Sequence, residues 1–229
     1  MVKRIVQIFF LMGMALVGIS QECTTMWPYI YPEFKEGTLL MVDGSKLTAQ
    51  FNVHVQEGRL HYLVKGIIKE ARSGDILLAN IGDDIYMNVD GSVMKVVGSE
   101  ERGFVATLIL ADFDKLLNST QGAYGASLNS SAKMKLSSIE VGGKTIVDHM
   151  LLKQRKEEGE TLPLMYEYFI VTRGKVFPAT KKSIMSQLDD KESAEFKKFL
   201  KVNKIKWNDP QSLLKLLDFL TVNNLILSI

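Results

Sequence analysis

A single cysteine, Cys23, stands in 229 residues. No internal disulfide can form, so the fold depends on a real hydrophobic core. Charge of one sign is missing too: with Lys3 and Arg4 set aside, the basic side chains equal the 26 acidic ones. That balance leaves no long-range field to draw in nucleic acid or an anionic membrane. After residue 20 no apolar run is long enough to span a bilayer. The usual catalytic signatures are also lacking. There is no Gly-x-Ser-x-Gly elbow, and the serines around Ser130 are loop composition rather than an activated nucleophile. Gly122-x-x-Gly125 has neither the lysine nor the strand-to-helix setting of a phosphate loop. Asp83-Asp84 with Asn88 and Asp90 does not match an EF-hand and reads as turn residues. The expectation is a protein that is not an enzyme, with no catalytic residues, no cofactor and no metal site.

What is present begins with an address. Lys3 and Arg4 precede an apolar stretch over 5–17, and Gly18-Ile19-Ser20 offers small residues before a cut that leaves Gln21 as the new terminus. Residues 1–20 therefore read as a secretory signal peptide, with a retained signal anchor as the alternative. Lipidation at Cys23 is disfavoured by Glu22, which stands where a small residue is required.

The stretch 31–64 organises the rest. Leu47, Ala49, Phe51, Val53 and Val55 alternate with Lys46, Thr48, Gln50, Asn52 and His54, the period of a strand with one dry face and one wet face. Asp43-Gly44 and Glu57-Gly58 read as tight turns on either side. A two-residue turn at Glu57-Gly58 places Gln56 opposite Arg59, Val55 opposite Leu60, His54 opposite His61 and Val53 opposite Tyr62.

Further strands are expected over 75–81, 85–89, 92–97 and 104–110, with a turn at Asp90-Gly91 and an edge-like piece over 65–71. Strands follow in 139–141, 145–147 and 164–172, after a helical turn in 112–117 and a polar loop over 119–138. From Thr180 the period becomes helical, over 181–188 and 191–202. Asp209-Pro210 is an N-cap followed by a first-turn proline, ahead of the stripe Leu213, Leu214, Leu217 and Leu220. The fold class is mainly β (α+β): an antiparallel meander forming a sandwich or open barrel, with a C-terminal helical segment. The expected division is a β-rich domain over 21–178 and a helical segment over 179–229 packed on it.

Several motifs carry a resemblance: Phe34-x-x-Gly37, Phe51-Asn52-Val53-His54 followed by Leu60-His61-Tyr62, and Gly122-Ala123-Tyr124-Gly125 before a serine-rich loop. The tail from Lys181-Lys182 through Asp190-Lys191 to Lys201-Val202-Asn203-Lys204 adds to it. On these residues the chain resembles uncharacterised secreted and envelope proteins of Bacteroidota. The resemblance implies a periplasmic or outer-membrane-associated address and no activity.

His54 and His61 are the one constellation with chemical interest. Cross-strand neighbours have Cβ atoms about 5 Å apart, near enough to share a metal ion. Zinc usually takes three or four protein ligands, so the pair reads as solvated and structurally neutral. Two functions remain. One is a non-catalytic interaction subunit of an envelope assembly, with envelope proteins as partners. The other is a carrier of an apolar ligand, a lipid or an acyl chain, in a half-open barrel, for which the methionines suit an adaptable pocket. Trp207, Phe219 and the apolar end 225–229 offer more apolar surface than a helix pair needs to close a sheet.

Overall fold

Asp90 and Gly91 both take positive φ, 51° and 83°, as a two-residue type I′ turn requires, and Val89 faces Ser92 across them. The computed structural model describes residues 28–112, 138–141, 144–147 and 163–223. The Asp90-Gly91 turn joins β6 (Asp84–Val89) to β7 (Ser92–Glu100). Before them come β1 (Lys35–Met41), β2 (Lys46–His54), β3 (Arg59–Val64), β4 (Ile67–Glu70) and β5 (Ile76–Ile81). After them comes β8 (Gly103–Ala111), then the separate hairpin of β9 (Ser138–Val141) and β10 (Lys144–Val147). The chain continues as β11 (Leu164–Thr172), β12 (Lys175–Pro178), α1 (Lys181–Met185), α2 (Asp190–Asn203) and α3 (Pro210–Asn223).

Ten strands form one antiparallel sheet in the order β12-β11-β8-β7-β6-β5-β1-β2-β3-β4. The chain starts in the middle, at β1, and walks out to the edge at β4. It then returns to the other side of β1 as β5 and walks out to the opposite edge. The return is short. Four inter-strand spacings in a flat sheet amount to about 19 Å. The link from β4 to β5 includes a 3-10 turn at Ser73–Asp75, whose rise is only about 2 Å per residue, so the link falls short of that span. The sheet must curl, and it does. The tip of the β2–β3 hairpin meets the far strands, with Val93 N–H donating to Gly58 O at 2.9 Å and Ala111 N–H to Val55 O at 2.8 Å. These are single bonds rather than a ladder, and the sheet stays open.

Those bonds explain a correction to the hairpin. His54 faces Arg59 and Asn52 faces His61, so β2 sits two residues from the register that a two-residue turn at Glu57-Gly58 predicts. Residues 55–58 form a longer turn because their backbone is bonded elsewhere. Val55 N–H donates to Pro28 O at 2.8 Å, and its carbonyl and that of Gly58 accept from β8 and β7. A shift of two preserves the faces. Phe51, Val53, Val55 and Leu60 are buried as expected.

The concave face holds one core around Leu39, Phe51, Val53, Ile81 and Tyr86. Its continuation on β8 and β11 is covered by the helices, where Val105 and Ile170 pack with Ile184, Phe196, Leu213 and Leu217. The close approach of α3 is set by glycine: a Cβ at Gly103 would meet the Val171 carbonyl oxygen and lie 2.9 Å from Leu217 Cδ2. Asp209 caps α3 as its sequence indicates, its carboxylate accepting from Gln211 N–H at 3.1 Å. Asp189 and Glu192 form a capping box on α2. Phe219 is partly buried against this layer, its ring 5.1 Å from Phe196 and 5.2 Å from Phe199, so much of its surface is spent on the fold. Of the expected helical turn over 112–117, residues 113–117 lie outside the described residues, as do 119–137 of the polar loop, the Gly142-Gly143 turn and the end 224–229; Ser138, expected in that loop, begins β9.

Candidate functional site

β11 outruns its outer partner. β12 pairs with β11 from Thr172 to Phe169, and Ala179 N–H adds one bond, to Tyr168 O at 2.8 Å. There the chain turns away, because Thr180 becomes the N-cap of α1 and its hydroxyl accepts from Ser183 N–H at 3.1 Å. An open cleft of about 600 Å³ lies at this departure, bounded by 166–169 of β11, by 178–180, and by Trp207 with Asn208. Trp207 is half-buried and packs on the helical core. Its loop is pinned: Lys206 N–H donates to Ser212 Oγ at 2.9 Å and Asp209 N–H to Lys206 O at 3.2 Å. Tyr166 is 52% exposed. The cleft is open to solvent and aromatic-walled, on the side of β11 where Tyr168 and Trp207 also pack with the helical core.

A second cluster surrounds the histidines. Residues 28–31 extend the line of β1 along β2, with Ile30 N–H donating to Val53 O at 3.0 Å and Tyr29 bridging to His54. Asn52, expected on the wet face, is fully buried under this segment. Its Oδ1 accepts from Tyr31 N–H at 3.1 Å, and its Nδ2 donates to the carbonyls of Tyr31 at 2.9 Å and Glu33 at 3.2 Å. The solvated histidine pair is corrected in the same way. The Tyr29 ring stands edge-on to both imidazoles, at 5.5 Å from His54 and 5.6 Å from His61. The His61 ring is diagonal to His54, 5.1 Å away. His61 Nδ1 lies 2.9 Å from the Tyr29 hydroxyl, and Nε2 lies 3.5 Å from Glu70 Oε2. Burial pushes the His61 pKa below its ordinary value, against the opposing pull of Glu70. The neutral ring with its proton on Nε2 satisfies both partners.

A third cluster joins Tyr31 to the far half of the curl. The Tyr31 hydroxyl donates to Asp84 Oδ2 at 2.5 Å and lies 2.7 Å from the Tyr86 hydroxyl. Lys95 Nζ contacts Asp84 Oδ1 at 2.7 Å, and Lys35 Nζ sits 4.1 Å over the Tyr31 ring. Burial, then the hydrogen bonds to Asp84 and Tyr86, raise the Tyr31 phenol well above its usual range. Burial would raise Asp84, but the hydrogen bonds from Lys95 and Tyr31 and the two lysine charges outweigh it, and its carboxyl is held below the usual value. A phenol held protonated and a carboxylate held ionised exchange no proton near neutral pH. Asp84 thus serves this network rather than a turn, while Asp83 and Asp90 are exposed.

Among the described residues no group of three or more His, Cys, Asp or Glu could hold a metal ion, and no helix is long and apolar enough to cross a membrane. Cys23, Gly122, Gly125, Ser130 and the apolar end 225–229 lie outside the described residues. The cleft was missed in the sequence because Tyr166 looks like any other strand residue; Trp207 was the one visible signal. No family model, curated protein or solved structure matches the chain.

Proposed function

We propose that the protein is a non-catalytic, exported subunit of a cell-envelope assembly, and that the cleft beside β11 is where it holds its partner. The observation that carries this reading is the cleft itself: an exposed tyrosine and a half-buried tryptophan face open solvent at a strand edge. A filled interior favours this reading over an apolar-ligand carrier. Tyr86, Phe51, Leu39 and Ile81 are fully buried side chains inside the curl, where a carrier would keep its lipid or acyl chain. The proposed address and assembly rest on reading residues 1–20 as a leader and on the resemblance to envelope proteins.

The test places a photo-crosslinking amino acid at Trp207 and, as a control, at the exposed Thr48 of β2, in cells that make the full chain. A single envelope protein crosslinked from position 207 and not from position 48 is the expected result. Retention of the chain in the cytoplasm, or identical crosslinks from both positions, overturns it.

A further inference from the structure

The segment that leads into β1 is tied down like a strap. Residues 28–31 lie along β2, with Val55 N–H donating to Pro28 O at 2.8 Å and Ile30 N–H to Val53 O at 3.0 Å. Two sets of side chains hold it, one at each end, and acid affects them differently. At Tyr31 the holders are Asn52, which bonds both the N–H and the C=O of Tyr31, and the Asp84–Tyr86 pair on the phenol. Asn52 does not titrate, and the Asp84 carboxyl is held below its usual value. This end stays fixed in mild acid.

At Tyr29 the holder is a histidine. The Tyr29 ring is buried among Phe34, His54 and His61, and among the described residues its hydroxyl bonds only to His61 Nδ1. Nδ1 accepts the phenolic proton only while the imidazole is neutral. A proton on Nδ1 makes both ring nitrogens donors and strengthens the attraction to Glu70 on β4. The phenol must then turn its own proton away, and a cation stands 5.1 Å from the His54 ring. The other charges nearby are engaged or exposed. Arg59, opposite His54, is held by Glu57 at 3.4 Å and Ser73 at 3.0 Å. Lys35 lies over the Tyr31 ring, and Glu33 of the strap is exposed.

Glu70 stays beside His61 with the strap on or off, because the two residues face each other in the β3–β4 ladder. Undocking relieves the burial that lowers the His61 pKa and keeps the carboxylate that raises it. The ring takes up a proton more readily with the strap off, so acid favours that state.

We propose that residues 28–30 form an acid-released strap: protonation of His61 frees them from β2 while Tyr31 and the rest of the sheet stay in place. Release uncovers the Val53 carbonyl and the Val55 N–H of β2 beside the two histidines. The device does not depend on what the cleft beside β11 holds.

The test is amide hydrogen exchange of the protein, read residue by residue by NMR from about pH 7.5 to about pH 5 and corrected for intrinsic rates. Protection of Ile30 and Val55 should fall below about pH 6.5, by up to about tenfold per pH unit. At every pH it should lie well below the protection of Tyr31 and of Val105, which is fully buried on β8, so that the strap opens in a protein otherwise folded. In His61→Gln, neutral at every pH, the fall should disappear, with Val105 reporting that the variant is folded. Tyr29→Phe alters the same contact from the strap with both histidines in place. It should lower Ile30 protection at pH 7.5 and shrink the fall. Exchange of Ile30 and Val55 at the level of Val105 overturns the proposal, since the strap then leaves only when the protein unfolds. Protection that does not fall with pH overturns it too. So does a fall unchanged in His61→Gln or, should that variant not fold, in Tyr29→Phe.

Discussion

The hydroxyl of Tyr29 lies 2.9 Å from Nδ1 of His61, across 32 positions of chain. The contact suits a neutral imidazole that accepts the phenolic proton and gives its own to Glu70. Protonating His61 puts a second donor where the phenol already donates.

Stability should therefore fall on the acid side. The folded pKa of His61 is lowered, so the unfolded chain binds the proton more readily. The contribution is complete above the unfolded value, about 6.5, and is lost as the pH drops from there through the folded value. Urea midpoints measured from about pH 8 to about pH 5 should show this decline. His61→Gln should flatten the part of the slope just below the histidine range. An unchanged slope in that variant would assign the decline to other groups.

Asn52 should matter far more than its polar neighbour on the same strand. Asn52→Leu leaves backbone groups of Tyr31 and Glu33 without partners beneath the N-terminal segment, at a cost of roughly 3 kcal/mol. Gln50→Leu, at an exposed site, should change stability by no more than about 0.5 kcal/mol. Equal effects by thermal unfolding would mean that the segment is not held through Asn52.

Gly103→Ala should cost roughly 1–3 kcal/mol, because the added methyl meets the Val171 carbonyl oxygen and the Leu217 side chain together. At Gly98 the nearest atoms are the methyl ends of Leu214, at 3.1 Å and 3.4 Å, and a leucine can shift. Gly98→Ala should be the milder change in the same denaturation series.

Thr107 is buried on β8, and its hydroxyl has no hydrogen-bond partner among the described residues. Valine has nearly the same shape without the polar atom. Thr107→Val should leave stability unchanged or raise it by about 1 kcal/mol. A loss of similar size in calorimetry would show that the hydroxyl is satisfied in solution.

The strands and their turns could be read from the chain because each rule is local. A period of two runs from Lys46 to Val55, and glycine at 44 and 91 takes the positive φ that its turn needs. The tail is legible for the same reason: Asp209-Pro210 caps and starts a helix within its own few residues. The β2–β3 register was misjudged because remote partners, Pro28, Val93 and Ala111, take the backbone bonds of 55–58. The wet face assigned to Asn52 and His54 was wrong for a like reason, since Tyr29 and Tyr31 return to cover it. The cleft is harder still to foresee. It exists because β12 stops and Thr180 starts a helix while β11 continues, and the place where two elements part has no local signature.

The central position of β1 also governs the order in which the sheet can assemble. Every neighbouring pair but two, β1–β5 and β8–β11, joins consecutive strands, so most of the ladder closes over short loops and should form quickly. β1–β5 must wait until the first four strands have emerged and the chain has doubled back. Until then one side of β1 is a bare edge, with Leu39 and Leu40 beside it. This interval is the most aggregation-prone moment of folding, and the shortness of the β4–β5 link keeps it brief.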